Sequence, residues 1–327
     1  MKLGVVIPTL NCAHLLEAHL DSMLPWLNRV DEVIVVDSHS TDGTVDIITK
    51  RISHPNLQIH QRPRGLYQAW NYGISQIQSK YTYISTVGDA ITAAGLDHLQ
   101  KVVEMNDADV VVSSPEFINE DGSRTQTPSS FPIKNLFKKW GINEPMLLRS
   151  MECFDFIVSS FPNAILGSSA SNLYRTEVLK KYPFPTSYGT GGDGAWGMAH
   201  GLNHRIAIAP GIFSTFRIHE KSYSKTDYLM DDLNERLLSL LKQEVNQWIG
   251  VNSDKISKSE ERVIKDVLDL LKSSLISQRN LESFRRQPWP WELNPWAWNE
   301  RLKRTRIKNK IQESITTLRK GAGNHCL

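Results

Sequence analysis

Two carboxylates in the first third of the chain stand just beyond apolar runs. Asp37 directly follows a β-branched run, and Asp89 follows an aromatic and β-branched run after a single glycine. Ligands of an open parallel sheet bind beyond the carboxyl ends of its strands, so both side chains would meet in one crevice. Helix capping accounts for Thr41 and Asp42, but Asp37 and Asp89 each lie several residues before the next helix. The positions therefore favour a functional role for this pair.

Two later stretches carry polar residues that would complete such a site. Asp193 stands among glycines just before a short predicted helix, and a carboxylate on a flexible loop suits a general base. A helix N-cap is the alternative for Asp193. The motif Phe-Arg-Ile-His-Glu-Lys-Ser at residues 216–222 offers Arg217 as a phosphate contact and His219 as a metal ligand. A surface histidine is the alternative for His219.

The first predicted turn has no phosphate-binding loop. The residues Pro-Thr-Leu-Asn at positions 8–11 match neither GxGxxG nor GxxxxGK[ST]. One GxGxxG spacing, which begins at Gly189, follows no predicted strand and is set aside. A bound nucleotide would therefore need another way to neutralise its phosphates, and a divalent cation held by carboxylate oxygens is the usual solution. Asp89 is the best candidate for such a Mn²⁺ or Mg²⁺ ligand in the first half of the chain.

The elements that must position these residues alternate between strand and helix. Apolar stretches predict strands at residues 3–9, 33–36, 57–60, 81–87 and 109–112. Helical spacing of apolar residues predicts helices at 12–27, 66–77 and 92–105. Continuous apolar strands separated by helices indicate an α/β fold: a Rossmann-like, mostly parallel sheet with helices on both faces.

The pattern changes twice further along the chain. Between residues 119 and 160 it weakens, which predicts an insertion of polar loops with a short segment near 133–140. Beyond about residue 225, long helical periodicity without Pro or Gly predicts helices at 228–249 and 257–283. We therefore expect a layered domain at residues 1–225 and a C-terminal helical region at 226–327.

A Trp-rich segment and a basic run lie close together in the C-terminal region. Tryptophans punctuated by prolines occupy residues 288–298, and Arg and Lys dominate residues 301–310. Aromatic rings beside cations suit the headgroup layer of a membrane, so peripheral membrane contact through residues 288–310 is one interpretation. The other is that the tryptophans pack against the layered domain and the basic residues form a solvated helix face.

Composition restricts the class of protein. The 327 residues carry a formal charge of +3, too little for nucleic-acid binding by composition alone, and we expect no nucleic-acid partner. The three cysteines form no CxxC pair, which excludes a Cys-based zinc site and suits a reducing compartment. The first apolar run ends at Pro8, too early for a signal peptide, so we expect a cytoplasmic protein.

Three ordered motifs resemble those of the family 2 glycosyltransferases. They are Val-Val-Ile-Pro-Thr-Leu-Asn at residues 5–11, Glu-Val-Ile-Val-Val-Asp-Ser-His-Ser-Thr-Asp-Gly-Thr at 32–44 and Gly-Leu-Tyr-Gln-Ala-Trp-Asn-Tyr-Gly-Ile at 65–74. The last motif is similar to a branch that builds bacterial surface polysaccharides and exopolysaccharides. The resemblance spans roughly residues 3–224 and implies a GT-A fold and transfer that inverts the anomeric centre. The donor would be a nucleotide sugar, and the acceptor a glycan or a lipid-linked hydroxyl.

The resemblance also implies roles for individual residues. Asp193 would deprotonate the acceptor hydroxyl. Asp89 and His219 would hold the divalent cation, with Asp89 as the last aspartate of the DxD-type motif. Asp37 would lie near the base or ribose. The nucleotide-sugar site would be lined by Thr9, Asn11, Asp37, Gly65, Asp89 and Arg217.

The sequence departs from the family pattern at two points. The DxD position reads Thr-Val-Gly-Asp at residues 86–89, so its first carboxylate is absent, which weakens the expected metal affinity. The usual Glu-Asp pair at the base is Gly192-Asp193. Two other functions stay open: a nucleotidyltransferase, which would normally show a Gly-rich basic first loop, and a non-catalytic nucleotide-sugar-binding or scaffold protein on a degenerate GT-A fold.

Overall fold

The architecture is that of a computed structural model, which describes residues 2–128, 131, 133–162, 166–218, 230–285 and 294–322. The chain forms two compact units. The first contains residues 1–148, 163–197 and 204–225, and the second contains residues 149–162, 198–203 and 226–327. Two internal segments of the chain thus belong to the C-terminal unit.

The strands of the first unit form two sheets. Their bounds are β1 (Leu3–Thr9), β2 (Glu32–Asp37), β3 (Leu57–Gln61), β4 (Tyr81–Ile84), β5 (Ala90–Ile91), β6 (Val110–Val112), β7 (Glu116–Ile118), β8 (Met146–Leu147), β9 (Asn172–Arg175), β10 (Ile206–Ile208) and β11 (Ser214–Arg217). The helices along the same part of the chain are α1 (Ala13–Leu27), α2 (Thr44–Arg51), α3 (Leu66–Gln76), α4 (Ala93–Asn106), α5 (Ile133–Lys139), α6 (Ser150–Ser160), α7 (Thr176–Lys181) and α8 (Gly192–His200). Of these helices, α6 lies in the second unit, and α8 runs from the first unit into a segment of the second.

The eight-stranded sheet has the order β3-β2-β1-β4-β9-β6-β10-β8. Its first four strands are parallel, with Thr9 of β1 opposite Asp37 of β2. Strand β9 runs antiparallel to both β4 and β6, and β8 is antiparallel to β10. The expected α/β architecture with a mostly parallel sheet is confirmed. The sequence pattern did not predict that β9 lies between β4 and β6 and runs antiparallel to both.

Helices cover both faces of this sheet because neighbouring strand residues point to opposite sides. Val5 and Val33 pack into the core that includes Leu16 and Leu20 of α1. Val6 and Val36 face the other way, toward α3, where a Cβ on Gly73 would lie only 2.5 Å from Cγ1 of Val6. The glycine therefore permits the close approach of α3 to β1.

A three-stranded sheet, β5-β11-β7, adjoins the candidate site. Strand β11 is antiparallel to β5 and parallel to β7. Strand β5 begins directly after Asp89, and Arg217 is the last residue of β11. The small sheet thus brings residues from distant parts of the chain to one place.

Helix α6 falls where the sequence predicts polar loops and an insertion. Its residues Cys153, Phe154, Phe156, Ile157 and Val158 are all buried. A helix buried on most of its surface lacks the apolar–polar periodicity by which a helix is recognised in a sequence. That is why the expectation of an irregular region over residues 119–160 is wrong for α6.

The second unit is helical beyond residue 229. Helices α9 (Met230–Val251) and α10 (Lys258–Arg285) lie close to the predicted ranges, and α11 (Pro295–Ala322) follows them. Two tryptophans of α11, Trp296 and Trp298, are 70% and 55% exposed. Residues 286–293 lie outside the described part of the chain. Among the helices that the structure describes, none has a stretch long and apolar enough to cross a bilayer.

The close contact at Gly73 predicts a stability change that can be measured. A methyl group at this position would overlap a buried valine, so Gly73→Ala should lower the free energy of unfolding by about 1–3 kcal/mol. Gly250→Ala in α9 is the matched control, because a Cβ there meets nothing within 4 Å. It should leave stability unchanged or raise it by up to about 1 kcal/mol. Scanning calorimetry of the two variants tests the packing, which equal melting curves would contradict.

Candidate active site

A cavity of about 420 Å³ lies within the first unit. It is lined by residues from the carboxyl ends of β1 and β2, from the segment after β4, and from the start of α3 and of α8. Of the residues predicted to form the site, this cavity brings together Thr9, Gly65, Asp89, Asp193 and Arg217. A cavity beyond the strand ends is therefore present, but of the two carboxylates expected to meet there it contains Asp89 and not Asp37.

Asp89 is buried at the cavity, and its carboxylate is held by a distant strand. Its Oδ1 accepts a hydrogen bond from the backbone N–H of Arg217 at 3.0 Å. Burial raises the pKa of Asp89 to about 7, and the Arg217 contact partly opposes this rise. The group is therefore divided between its charged and neutral forms near neutral pH.

The backbone of Asp89 is fixed from the opposite side by a histidine of α1. His19 Nδ1 lies 2.8 Å from the Asp89 carbonyl oxygen, and its Nε2 lies 3.1 Å from Oγ of Ser85. Burial lowers the pKa of His19 to about 4, so the ring is neutral at physiological pH. A neutral ring that donates from Nδ1 accepts at Nε2, which makes the Ser85 hydroxyl a donor. His19 thereby sets the position of the turn that carries Asp89.

Asp193 lies in the first turn of α8, one residue inside the helix rather than at its N-cap. Its Oδ1 accepts from the backbone N–H of Gly194 at 2.7 Å. The Tyr67 hydroxyl donates to the carbonyl oxygen of Thr190 at 3.0 Å, and its position beside Asp193 favours the charged form of that carboxylate. Burial raises the pKa of Asp193, while these N–H and O–H contacts oppose the rise. A carboxylate with a raised pKa at a cavity wall is suited to accept a proton.

The structure explains the glycine that precedes Asp193. A Cβ on Gly192 would lie 2.6 Å from ring carbons of Tyr67 and 2.6 Å from the carbonyl oxygen of Pro185. The Tyr67 ring therefore occupies the space that a side chain at position 192 would need. This tyrosine packs in turn against Trp70 and Phe184.

Asp37 and Asn11 lie at the same sheet edge but do not line the cavity. Asp37 is fully buried, and its carboxylate accepts from Oγ1 of Thr9 at 2.9 Å and from the backbone N–H of Ser40 at 2.8 Å. Asn11 has a positive φ of 47°, and its side-chain oxygen accepts from the backbone N–H of Thr41. In this structure both residues shape the loops after β1 and β2.

Arg217 lines the cavity, yet its guanidinium is engaged elsewhere. Nη1 donates to the carbonyl oxygens of Asn119 and Glu120, at 3.3 and 2.6 Å. Arg64 is a second cationic residue at the cavity wall. Hydroxyl groups of Thr86 and Ser169, 3.0 Å apart, add polar atoms to the lining.

Of the two expected cation ligands, Asp89 and His219, the structure describes only Asp89. His219 lies outside the described residues, so its predicted role stays a prediction. Within the described ranges, no group of three or more His, Cys, Asp or Glu side chains is arranged to hold a metal ion. A cation here would take one oxygen ligand from Asp89 and would need further oxygens from a bound ligand.

Sequence reasoning assigned no role to two residues of this site. Tyr67 lies in the motif at residues 65–74, yet its contact with Asp193 joins positions far apart in the chain. His19 stands on the apolar face of α1 and is easily taken for an ordinary core residue. The sequence signal for its burial is its spacing of three and four residues from Leu16 and Met23, which lie on the same buried face.

Residues 4–182 match the family model for glycosyl transferase family 2, which is more than half of the chain. The chain belongs to glycosyl transferase family 2. Two curated relatives are Streptococcus pneumoniae proteins, serotype 4 (strain ATCC BAA-334 / TIGR4). Glycosyltransferase GlyA is 28% identical over 121 residues, and glycosyltransferase GlyG is 30% identical over 124 residues. These matches cover 36% and 37% of the chain, but only 17% and 40% of the relatives' own length.

The S. aureus protein TarS is one of the solved structures whose fold is similar to that of this chain. Residues 1–349 of TarS, in complex with UDP-GlcNAc, superpose with a TM-score of 0.53 at 18% identity. The match covers 98% of this chain and 92% of that one. At this identity the likeness concerns the fold, and it confirms the expected GT-A architecture with a C-terminal helical part.

The buried contact between Thr9 and Asp37 predicts the effect of removing one hydroxyl. Thr9→Val keeps the side chain's shape but deprives the buried carboxylate of a donor. The free energy of unfolding should therefore fall by about 1–3 kcal/mol in urea denaturation. Thr9→Ser retains the hydroxyl and should lose clearly less. Equal losses in the two variants would show that the hydrogen bond contributes little.

Proposed function

We propose that the chain is an inverting glycosyltransferase that moves a sugar from a nucleotide-sugar donor to an acceptor hydroxyl. The observation that carries this proposal is that Asp89 and Asp193 line one cavity at the strand ends, although about a hundred residues separate them. One carboxylate serves the donor's diphosphate, and the other serves the acceptor. Family membership supports the reaction class.

A nucleotide sugar is the donor that the cavity and the shared fold support. TarS, which has this fold, is seen with UDP-GlcNAc. We place the diphosphate near Asp89, Arg217 and the hydroxyls of Thr86 and Ser169, with Thr9 and Gly65 along the nucleotide. Asp37 and Asn11 act near the base or ribose by holding the loops that contact it.

Asp193 is the general base of the proposed reaction. Its carboxylate takes the proton of the acceptor hydroxyl as that oxygen attacks C1 of the sugar. The C1–O bond to the diphosphate breaks on the opposite face, and the nucleoside diphosphate leaves with the bonding electron pair. Attack from the opposite face inverts the anomeric centre. The Gly194 N–H holds the carboxylate in place before the proton arrives, and the nearby Tyr67 hydroxyl favours its charged form.

Asp89 is the described residue that would hold a divalent cation, with His219 as a proposed second ligand. Its carboxylate is the hard oxygen donor that Mg²⁺ and Mn²⁺ prefer. When bound, the cation would neutralise charge on the diphosphate. A single described carboxylate fits a cation that arrives with the nucleotide better than one that is permanently bound. We propose a glycan or a lipid-linked hydroxyl as the acceptor.

The replacement Asp193→Asn tests the function and the base together. It removes the proton acceptor but keeps the shape, so release of nucleoside diphosphate with glycan acceptors should fall at least about 10²-fold. The thermal shift produced by UDP-GlcNAc and other nucleotide sugars, with and without Mn²⁺, should be retained. Asp46→Asn, at an exposed position outside the cavity, is the matched control and should keep full turnover.

Three outcomes would revise this proposal. Undiminished turnover in Asp193→Asn would remove Asp193 from the base role. Donor binding without turnover in the unaltered chain, across donors and acceptors, would favour the non-catalytic binding protein instead. That alternative takes its support from the single carboxylate at residues 86–89. No stabilisation by any nucleotide sugar would contradict the donor class.

The Tyr67 contact predicts a shift in the pH dependence of turnover. Asp193 works as a base when ionised, so activity should rise with pH through its raised pKa. Tyr67→Phe removes a hydroxyl that favours the ionised form of Asp193, which raises that pKa further. The acid limb of the pH–rate profile should therefore move to higher pH. A change in maximal rate with no shift of the limb would show a purely structural role for Tyr67.

A further inference from the structure

Helix α11 carries large apolar side chains on its solvent side. Trp298 and Leu302 are 55% and 50% exposed, and Trp296, on a different side of the helix, is 70% exposed. Its opposite side is buried within the second unit through Ala297, Ile307, Ile311, Ile315 and Leu318. The helix thus has one face that packs and one face whose apolar groups meet water.

The exposed face combines apolar and cationic side chains in register. Trp298, Leu302, Arg306 and Lys310 follow one another at intervals of four residues, which places them along one side of a helix. All four are exposed. The N-terminal part of this face is therefore apolar, and the part that follows is basic. We call it the α11 outer face.

The charge of this region is of one sign. Residues 301–310 contain six Arg and Lys residues and no Asp or Glu, whereas the whole chain has a formal charge of only +3. Lys303 and Lys308 are also exposed. This stretch of about three helical turns beside Trp298 therefore carries a net positive charge larger than that of the whole chain.

We propose that the α11 outer face docks the protein on the surface of an anionic lipid bilayer. Trp and Leu side chains enter the headgroup and upper acyl region, where amphipathic rings are favoured. The neighbouring cations meet anionic headgroups, an attraction that acts within about a Debye length. The protein lies on the membrane without crossing it. This inference is independent of the proposed reaction and concerns the second unit alone.

Two other occupants fit this face less well. A second copy of the chain that used the same face would bring two basic stretches together, and like charges repel. A soluble polyanion would use the cations but would leave Trp298 and Leu302 without a role. A lipid surface is the partner that accommodates both kinds of side chain.

Vesicle flotation of the full chain tests the proposal. The unaltered protein should float with vesicles of phosphatidylcholine and phosphatidylglycerol, and not with phosphatidylcholine alone. Raising the NaCl concentration should release most of it, because salt screens the charges. Failure to float with the anionic vesicles, or equal binding to both kinds, would overturn the proposal.

Two double variants separate the two halves of the face. Trp298→Ser with Leu302→Ser, and Arg306→Gln with Lys310→Gln, should each lower vesicle partitioning by roughly tenfold or more. Matched controls use exposed residues elsewhere: Met105→Ser with Val251→Ser, and Lys50→Gln with Lys101→Gln. These should bind as the unaltered chain does.

The pattern of losses decides between lipid and polyanion. If only the Arg306/Lys310 pair loses binding, and heparin competes fully, the face is a polyanion site and the lipid proposal is wrong. If neither pair differs from its control, the docking surface lies elsewhere, and the proposal is again wrong. Melting curves show whether each variant is folded. If the Trp298/Leu302 variant does not fold, the Arg306/Lys310 variant still tests the proposal. Thermal shift with nucleotide sugars reports on the first unit separately.

Discussion

The burial of one carboxylate, that of Asp89, constrains most of the site around it. A charged group in a cavity wall needs donors, and here the donor is a backbone N–H of β11, from more than a hundred residues further along the chain. The His19 ring of α1 holds the carbonyl of the same residue. Two sheets and a helix must therefore be correctly placed before this carboxylate can face a ligand. The fold and the site are specified by the same set of contacts.

Local sequence was sufficient for the features whose cause is local. Buried strands show as β-branched runs, so β1, β2 and the positions of Asp37 and Asp89 at strand ends could be predicted. Family membership and the GT-A fold were predicted from ordered motifs and are confirmed. The roles given to individual site residues stay predictions. What the structure adds is that five of them line one cavity.

Contacts between residues far apart in the chain could not be predicted from the sequence. The Tyr67–Asp193 contact and the His19–Asp89 contact each join separate elements, and nothing in the local pattern announces them. Helix α6 was missed because burial around most of its circumference removes amphipathic periodicity. The tryptophans of α11 show the reverse problem: composition alone left open whether they pack or face water, and two of them are exposed.

The glycine before Asp193 and the tyrosine at position 67 are sterically coupled, although the two positions are far apart in the chain. The ring at position 67 fills the volume beside Gly192, so an acidic side chain at 192 could be accepted only with a smaller residue at 67 and a displaced turn at Pro185. A larger residue in place of the glycine alone would overlap the ring, so the two positions can change only together.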